Sequence, residues 1–314
     1  MSTQASTQVE LLEIQAIGGK IGAEVRGIKL GGDVPAEQVQ AIRQALNKYK
    51  VLFFRGQNHL DDATQEAFAA LLGAPFAHPT VPTKPGSQYI LELDSHQGGR
   101  ANAWHTDVTF IDAYPSASLL RSVVVAESGG DTVWANTAAA YDSLPDTLKS
   151  LADRLWAVHS NTYDYANQAS SDFAQRAATG AEQSPEAVKK YQSTFTSTIY
   201  ETEHPLVHVH PETGEKNLLL GSFVKKIIGV STSESARLYD IFQEHVTRLE
   251  HTIRWRWAEG DVALWDNRAT QHVAVNDYGN QHRVVRRVTL EGHLPVSVDG
   301  RNSITRIKEI RKAD

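Results

Sequence analysis

The sequence predicts a mainly β fold with flanking helices. Apolar segments of strand length crowd the chain after residue 195, and two of them alternate residue by residue. No composition shift or low-complexity linker splits the chain. The 314 residues therefore read as one domain, 1–314, with loop and helix insertions around 76–103 and 137–195.

From the N-terminus, Val9 to Leu30 mixes β-prone residues with Gly18, Gly19, Gly22 and Gly27, which predicts a short hairpin. Residues 36–49 carry Val39, Ile42 and Leu46 at helical spacing, and Val51-Leu-Phe-Phe54 follows as a compact apolar strand. Asp62 with Gln65 resembles a capping box that opens a helix through Ala63–Leu72, stopped by Gly73. Residues 76–110 are rich in proline and glycine, and a long irregular stretch inside a domain points to a functional loop.

Strands are expected at 118–126 and 131–135, then a helical stretch over 137–156 broken by Pro145. Residues 160–195 are polar and weakly patterned, an excursion placed to cover a site. Further strands are expected at 206–210, 217–220, 252–257, 261–265 and 283–291. In Arg254-Trp-Arg-Trp257 the arginines and tryptophans fall on opposite faces.

Composition narrows the function. The 31 basic and 37 acidic residues give a net charge of -6, without the basic surplus of a non-specific nucleic-acid binder. Any anionic ligand must be met by a few local arginines. There is no cysteine, which excludes disulfides, thiolate nucleophiles, iron–sulfur clusters and cysteine-ligated zinc. The N-terminal segment lacks the features of a secretory signal, and the apolar runs are too short to span a membrane. A cytoplasmic protein without nucleic-acid or membrane partners is the expectation.

Metal ligation then falls to 13 histidines and the carboxylates. In Trp104-His105-Thr106-Asp107, residues two apart on an extended segment share a face about 6.6–7 Å apart, so His105 and Asp107 can converge on one ion. A third ligand would complete the open-sided 2-His-1-carboxylate triad of non-haem Fe(II) oxygenases. His59-Leu-Asp61 has the same form, yet Asp61 sits where it could simply cap a helix, and His208-Val-His210 is another ligand-like pair. Spacing alone decides little.

The last third adds weight. His272 is placed where a strand breaks into a loop, and Arg283-Val-Val-Arg-Arg-Val-Thr-Leu290 follows. Arg283 and Arg287 share one face of that strand, about 13 Å apart, while Arg286 looks elsewhere. Two buried arginines need anions, and the planar guanidinium suits carboxylates and sulfate-like groups. A metal with two cationic forks suggests two anions, one a bidentate co-substrate and the other a substrate.

The blocks WHTDVTF (104–110), SGGDTVWANTAAAY (128–141), TSTIYETEHP (196–205), HVTRLEHTIRWRWAEGDVALWDNRATQH (245–272) and DYGNQHRVVRRVTL (277–290) resemble the TauD/TfdA family of Fe(II)/2-oxoglutarate-dependent dioxygenases. The likeness runs over nearly the whole chain and is strongest to bacterial alkylsulfatases that cleave sulfate esters oxidatively. It implies a double-stranded β-helix (jelly roll) core. It makes His105, Asp107 and His272 the Fe(II) ligands, and gives the distal carboxylate of 2-oxoglutarate to Thr132 and Arg283. The substrate's sulfate or sulfonate head group goes to Arg287 and His78, with Asn102 and Val108 bordering the substrate. O2 is the second co-substrate, the substrate is a small anionic organosulfur compound, and a dimer or tetramer is implied.

Trp255, Trp257 and Trp265, with His208 and His210, are expected to be structural. Taurine or another sulfonate is the main rival substrate. A zinc hydrolase using the same ligands, or a non-catalytic anion binder, are the rivals from other classes.

Overall fold

The sequence Val51-Leu-Phe-Phe54 is apolar at every position because both faces of its strand are covered, and the architecture follows from that. The structure, a computed structural model, describes residues 12–97, 101–162 and 185–310. In chain order its strands begin with β1 (Glu13–Ala16), β2 (Ala23–Arg26), β3 (Val51–Phe54), β4 (Pro75–Phe76), β5 (Leu91–Asp94) and β6 (Ala117–Val124). They continue with β7 (Thr132–Asn136), β8 (Trp156–Ser160), β9 (Thr198–Pro205), β10 (Val207–Val209), β11 (Lys216–Leu218) and β12 (Val224–Ile227). The last are β13 (Thr252–Trp255), β14 (Val262–Asp266), β15 (Thr270–Ala274), β16 (Val284–Leu290), β17 (Val296–Ser297) and β18 (Ile304–Ile310). The described helices are α1 (Ala36–Tyr49), α2 (Asp62–Leu72), α3 (Thr137–Asp142), α4 (Asp146–Ala152), α5 (Pro185–Phe195) and α6 (Thr232–Val246).

The main sheet runs β1-β2-β3-β14-β6-β16-β4, with β5 also paired to β16. On its outer face Leu52, Phe54, Leu119, Leu264, Val288 and Leu290 pack against Val39, Ile42 and Leu46 of α1 and Phe68 and Leu72 of α2. On its inner face Val51, Phe53, Leu120, Trp265 and Val285 meet Trp134 of β7 and Trp255 of β13, from the smaller sheet β13-β7-β15. Phe53 stacks on Trp255 with ring centroids 4.0 Å apart. Period-two alternation thus feeds two cores from one sheet, in the jelly-roll arrangement of facing antiparallel sheets. The sheets β12-β8-β9-β18 and β11-β10-β17 extend it.

Several expectations are corrected in detail. The cap of α2 is Asp61: its carboxylate accepts from Thr64 N at 2.8 Å while the Thr64 hydroxyl accepts from Asp61 N at 2.9 Å. Gln65 is buried instead, accepting from Arg121 Nε at 2.9 Å and donating to the Arg286 carbonyl at 2.9 Å. The loop-rich stretch contributes β4 and β5 to the main sheet, because Leu91 and Leu93 alternate with Glu92 and Asp94 between turns. The 137–156 helix stops at Ala152, and β8 begins at Trp156.

Much of the 160–195 excursion lies outside the described residues; its end forms α5. The β-rich region after 195 also holds α6, whose signature was present in the text. Ser231 and Glu234 form a full capping box ahead of the buried Phe242 and Val246. Among the described residues no helix is long and apolar enough to cross a membrane.

Candidate active site

The site starts from a backbone junction. His105 pairs with His272 as an isolated antiparallel bridge, His105 N donating to the His272 carbonyl at 3.0 Å and His272 N to the His105 carbonyl at 2.8 Å. His272 lies inside β15, opposite Trp134 of β7, and not at a strand end as the sequence suggested. Its neighbours Thr270 and Gln271 are buried, so polarity was no sign of a loop. The segment carrying His105 is extended only at the bridge. It turns from Asp107 onward, with Val108 in the left-handed region at φ 61. A β-branched residue there is strained, a condition that persists where surrounding structure over-determines it.

That surrounding structure is visible. Asn267 accepts from Asp107 N at 2.9 Å and donates to the carbonyls of Asp107 (3.0 Å) and Pro115 (2.8 Å). Ser118 donates to Asp107 Oδ2 at 2.7 Å, and Thr106 donates to the Thr270 carbonyl at 2.8 Å. Gly221 lets the chain pass His105: its φ is 108, and a Cβ there would lie 3.0 Å from His105 Cα and from the Trp104 carbonyl. The sequence reading missed Asn267, Ser118 and Gly221, although a polar Asn267 between two buried strands was a signal.

Ligand-type atoms of His105, Asp107 and His272 lie within 4.8 Å of one another, all three side chains buried. His105 Nε2 is 3.7 Å and His272 Nε2 is 3.8 Å from Asp107 Oδ1. The His105 Nδ1 shares a 2.8 Å hydrogen bond with the Ala103 carbonyl, so this nitrogen donates there while Nε2 is the one turned toward Asp107. Burial and the neighbouring His105 hold the His272 imidazole well below its usual range, hence neutral. His272 Nδ1 is a buried atom without a hydrogen-bond partner among the described residues.

For Asp107, burial raises the carboxyl, but Arg287 together with both imidazoles overrides it and holds the group far below the carboxylate range. A neutral His272 imidazole beside an ionised Asp107 carboxylate suits a metal, whose ligands must be deprotonated. The donor set is borderline nitrogen and hard oxygen on one side only, which fits Fe(II) with open positions.

The arginines stand as the alternation of β16 demands. Arg283, Val285 and Arg287 face inward, whereas Arg286 faces α2 and pairs with Asp62 and Glu92. Arg283 Nε donates to the Gly130 carbonyl at 3.1 Å. Gly130 has φ 71, and a Cβ there would come 3.2 Å from Arg283 Cδ, so glycine is needed for both reasons. Thr132 accepts from Trp257 Nε1 at 3.0 Å, which leaves its own O–H to donate. Thr132, Trp265, His272, Tyr278, Arg283 and Arg287 line one cavity. Arg287 departs from a simple anion clamp: one of its nitrogens donates to Asp107 Oδ1, and its buried Nε has no partner among the described residues.

His78 sits half-buried after β4, its Nδ1 accepting from Val81 N at 3.0 Å, which puts the ring proton on Nε2. Burial, reinforced by Arg287, pulls its pKa down to about 3, so the ring is a neutral donor. Val108 and Phe110 join Phe195, Tyr200 and Phe223 in an apolar cluster. His105 meets Phe223 edge-on at 6.2 Å and His78 meets Phe195 at 5.5 Å, so this wall borders the site. Asn102 is half-buried in the segment leading to His105. His208 and His210 are structural, at 2.7 Å from the Arg268 carbonyl and 2.9 Å from Asp266 Oδ2.

The description "Taurine catabolism dioxygenase TauD, TfdA family" matches residues 13–289. The chain belongs to this family. An alpha-ketoglutarate-dependent sulfate ester dioxygenase of Pseudomonas putida is 59% identical, over 94% of this chain and 94% of that protein. An alkylsulfatase of Acinetobacter baylyi is 53% identical, over 96% of this chain and 91% of its own length. Among solved structures, a taurine dioxygenase from Burkholderia xenovorans superimposes with a TM-score of 0.76 at 36% identity, covering 94% of this chain and 96% of the other. The TauD/TfdA jelly roll and the dioxygenase class are thereby established for this chain, in line with its His-Asp-His group.

Proposed function

We propose that this dioxygenase uses Fe(II), 2-oxoglutarate and O2 to cleave alkyl sulfate esters, giving aldehyde and sulfate with succinate and CO2 as co-products. The observation that carries the reading is the buried His-Asp-His group with two inward arginines beside it, in a chain 59% identical to a sulfate ester dioxygenase.

In this reading His105, Asp107 and His272 hold the ferrous ion. When bound there, iron supplies oxygen activation coupled to oxidative decarboxylation of 2-oxoglutarate. Arg283 and the Thr132 hydroxyl take the distal carboxylate of 2-oxoglutarate, since both open into one cavity with His272. Arg287 fixes Asp107 and offers its unmet Nε–H to the sulfate head group, and neutral His78 offers Nε2–H as a second donor. Asn102 borders the head group. Fixing the head group presents the ester-bearing carbon to the oxidant. Hydroxylation at that carbon gives a hemiacetal-like ester that collapses to aldehyde and sulfate.

The wall of Val108, Phe110, Phe195, Tyr200 and Phe223 favours an alkyl tail. Among the described residues this wall offers no carboxylate to taurine's ammonium group, whose burial carries a cost that an apolar chain does not incur. An oxygen-uptake screen with 2-oxoglutarate against medium-chain alkyl sulfates, alkyl sulfonates, taurine and phenoxyacetates tests this. Alkyl sulfates are expected to give the highest kcat/KM, with succinate and sulfate formed in equal amounts. Preference for taurine would overturn the substrate assignment, and sulfate release without oxygen uptake would point to hydrolysis.

A further inference from the structure

A second group of metal-binding side chains lies outside this centre. Asp94, His96 and His282 also bring one ligand atom each to within 4.8 Å of one another, and both histidines are exposed. The sheet register explains why they meet. Val284 pairs with Asp94 and Val285 with Leu93. Past the end of β5, Ser95 N still donates to the Arg283 carbonyl, and the turn that follows leaves His96 beside His282. That turn is closed by Gln97 N donating to the Asp94 carbonyl at 2.9 Å, which folds His96 back toward Asp94.

The exposed imidazoles lie stacked in this structure and must rotate out of the stack to aim their nitrogens at one ion. The two imidazole rings lie parallel, with centroids 4.2 Å apart and planes 7° off. His282 Nε2 is 3.1 Å from Asp94 Oδ1, and the same carboxylate oxygen accepts from His96 N at 2.9 Å, which fixes its direction.

We propose that Asp94, His96 and His282 form a second metal site, for a late first-row divalent ion of the zinc class. Two imidazoles and a carboxylate on an open surface suit zinc, copper or nickel, with water completing the shell. Magnesium and calcium prefer all-oxygen surroundings and are excluded by the two nitrogens. The site spans the junction of β5 and β16 immediately before Arg283. Ser95, between Asp94 and His96, already holds that point: Ser95 N donates to the Arg283 carbonyl at 3.0 Å, and Arg283 N donates to Ser95 Oγ at 3.0 Å. A bound ion therefore clamps the two strands where the cavity's arginine enters. The assignment is independent of the substrate proposed above.

Zinc binding to the metal-free full chain, measured by equilibrium dialysis with elemental analysis, tests it. The wild type is expected to bind two equivalents. His96→Ala and His282→Gln should each lose one equivalent and keep the other, with circular dichroism confirming the fold. A His105→Ala/His272→Ala variant should keep one equivalent, and Cu(II) bound to it should show coupling to two nitrogens in its paramagnetic resonance spectrum. A wild-type stoichiometry, whether one equivalent or two, that is retained in full by His96→Ala and His282→Gln overturns the second site. Loss of all binding in the His105→Ala/His272→Ala variant, with its fold intact, overturns it as well. If that variant does not fold, the His96→Ala and His282→Gln counts decide. A fault in the substrate reading would leave these counts unchanged, whereas failure of the His105-Asp107-His272 centre to bind would leave one equivalent in the wild type that His96→Ala and His282→Gln abolish.

Discussion

Two triplets of identical form, His59-Leu-Asp61 and His105-Thr-Asp107, end in different chemistry. At the first, His59 Nε2 bonds to the Leu30 carbonyl at 2.8 Å and Asp61 caps α2, so each side chain is taken up by a backbone group. At the second, both side chains turn inward, and β15 delivers His272 from 165 positions on in the chain to the same point. The difference lies in what crosses over each triplet. A helix start absorbs the first carboxylate, whereas a bridge, a strained Val108 and the Asn267 bonds hold the second away from any local partner. Short motifs acquire function from the long-range pairing that surrounds them.

The sharpest way to break this comparison is to truncate both histidines. His105→Ala should reduce succinate formation to the no-enzyme background, while His59→Ala should leave kcat unchanged; equal losses would erase the distinction. Next in size, the arginines should separate. Removing one partner of a buried, hydrogen-bonded charge pair costs about 2–5 kcal/mol. Arg283→Ala should therefore raise the KM for 2-oxoglutarate by roughly 30-fold or more, with a smaller change for the sulfate ester. Arg287→Ala should raise mainly the KM for the sulfate ester, and steady-state kinetics with each substrate varied will show whether the two losses divide this way.

A third test concerns buried histidines outside the His-Asp-His group. His204 and His208 are pushed by burial down to about 4. Above the unfolded value near 6.5 neither state is charged, and these groups contribute no pH dependence. As pH falls below about 6.5 the unfolded chain takes up protons that the folded chain refuses, so stability declines until the folded groups titrate near 4. The loss is up to about 1.4 kcal/mol per pH unit for each group. Denaturant unfolding of wild type and His204→Gln between these limits should show a shallower slope in the variant. The smallest effect belongs to the first triplet: Asp61→Ala should cost about 1 kcal/mol through the lost cap, read as a lower unfolding midpoint with undiminished activity.

Much of the site was legible because its residues carry strong periodic or chemical constraints. Arg283 and Arg287 face one way and Arg286 the other, as two-residue periodicity requires. His105 and Asp107 stand out because a chain without cysteine has few ligand types. Where the reading slipped, local polarity misled it. Thr270, Gln271 and His272 look like a loop, yet all three are buried in β15 between β7 and the His105 bridge. β4 and β5 hid in a proline-rich stretch because strands of two and four residues leave almost no period to detect. Helix α6 was missed despite Ser231 and Glu234, since β-prone neighbours outweighed a cap signal of two residues.

Local order in this chain determined which residue types were available and which face of each strand they took, because pleat and helical pitch act between near neighbours. Tertiary structure alone decided that His272 meets His105 across a bridge, and that Arg287 is engaged by Asp107. It also set Gly130 and Gly221 under close contacts. Those outcomes depend on closing loops of a hundred residues or more in a single register, and no short-range pattern encodes the register of strands so far apart.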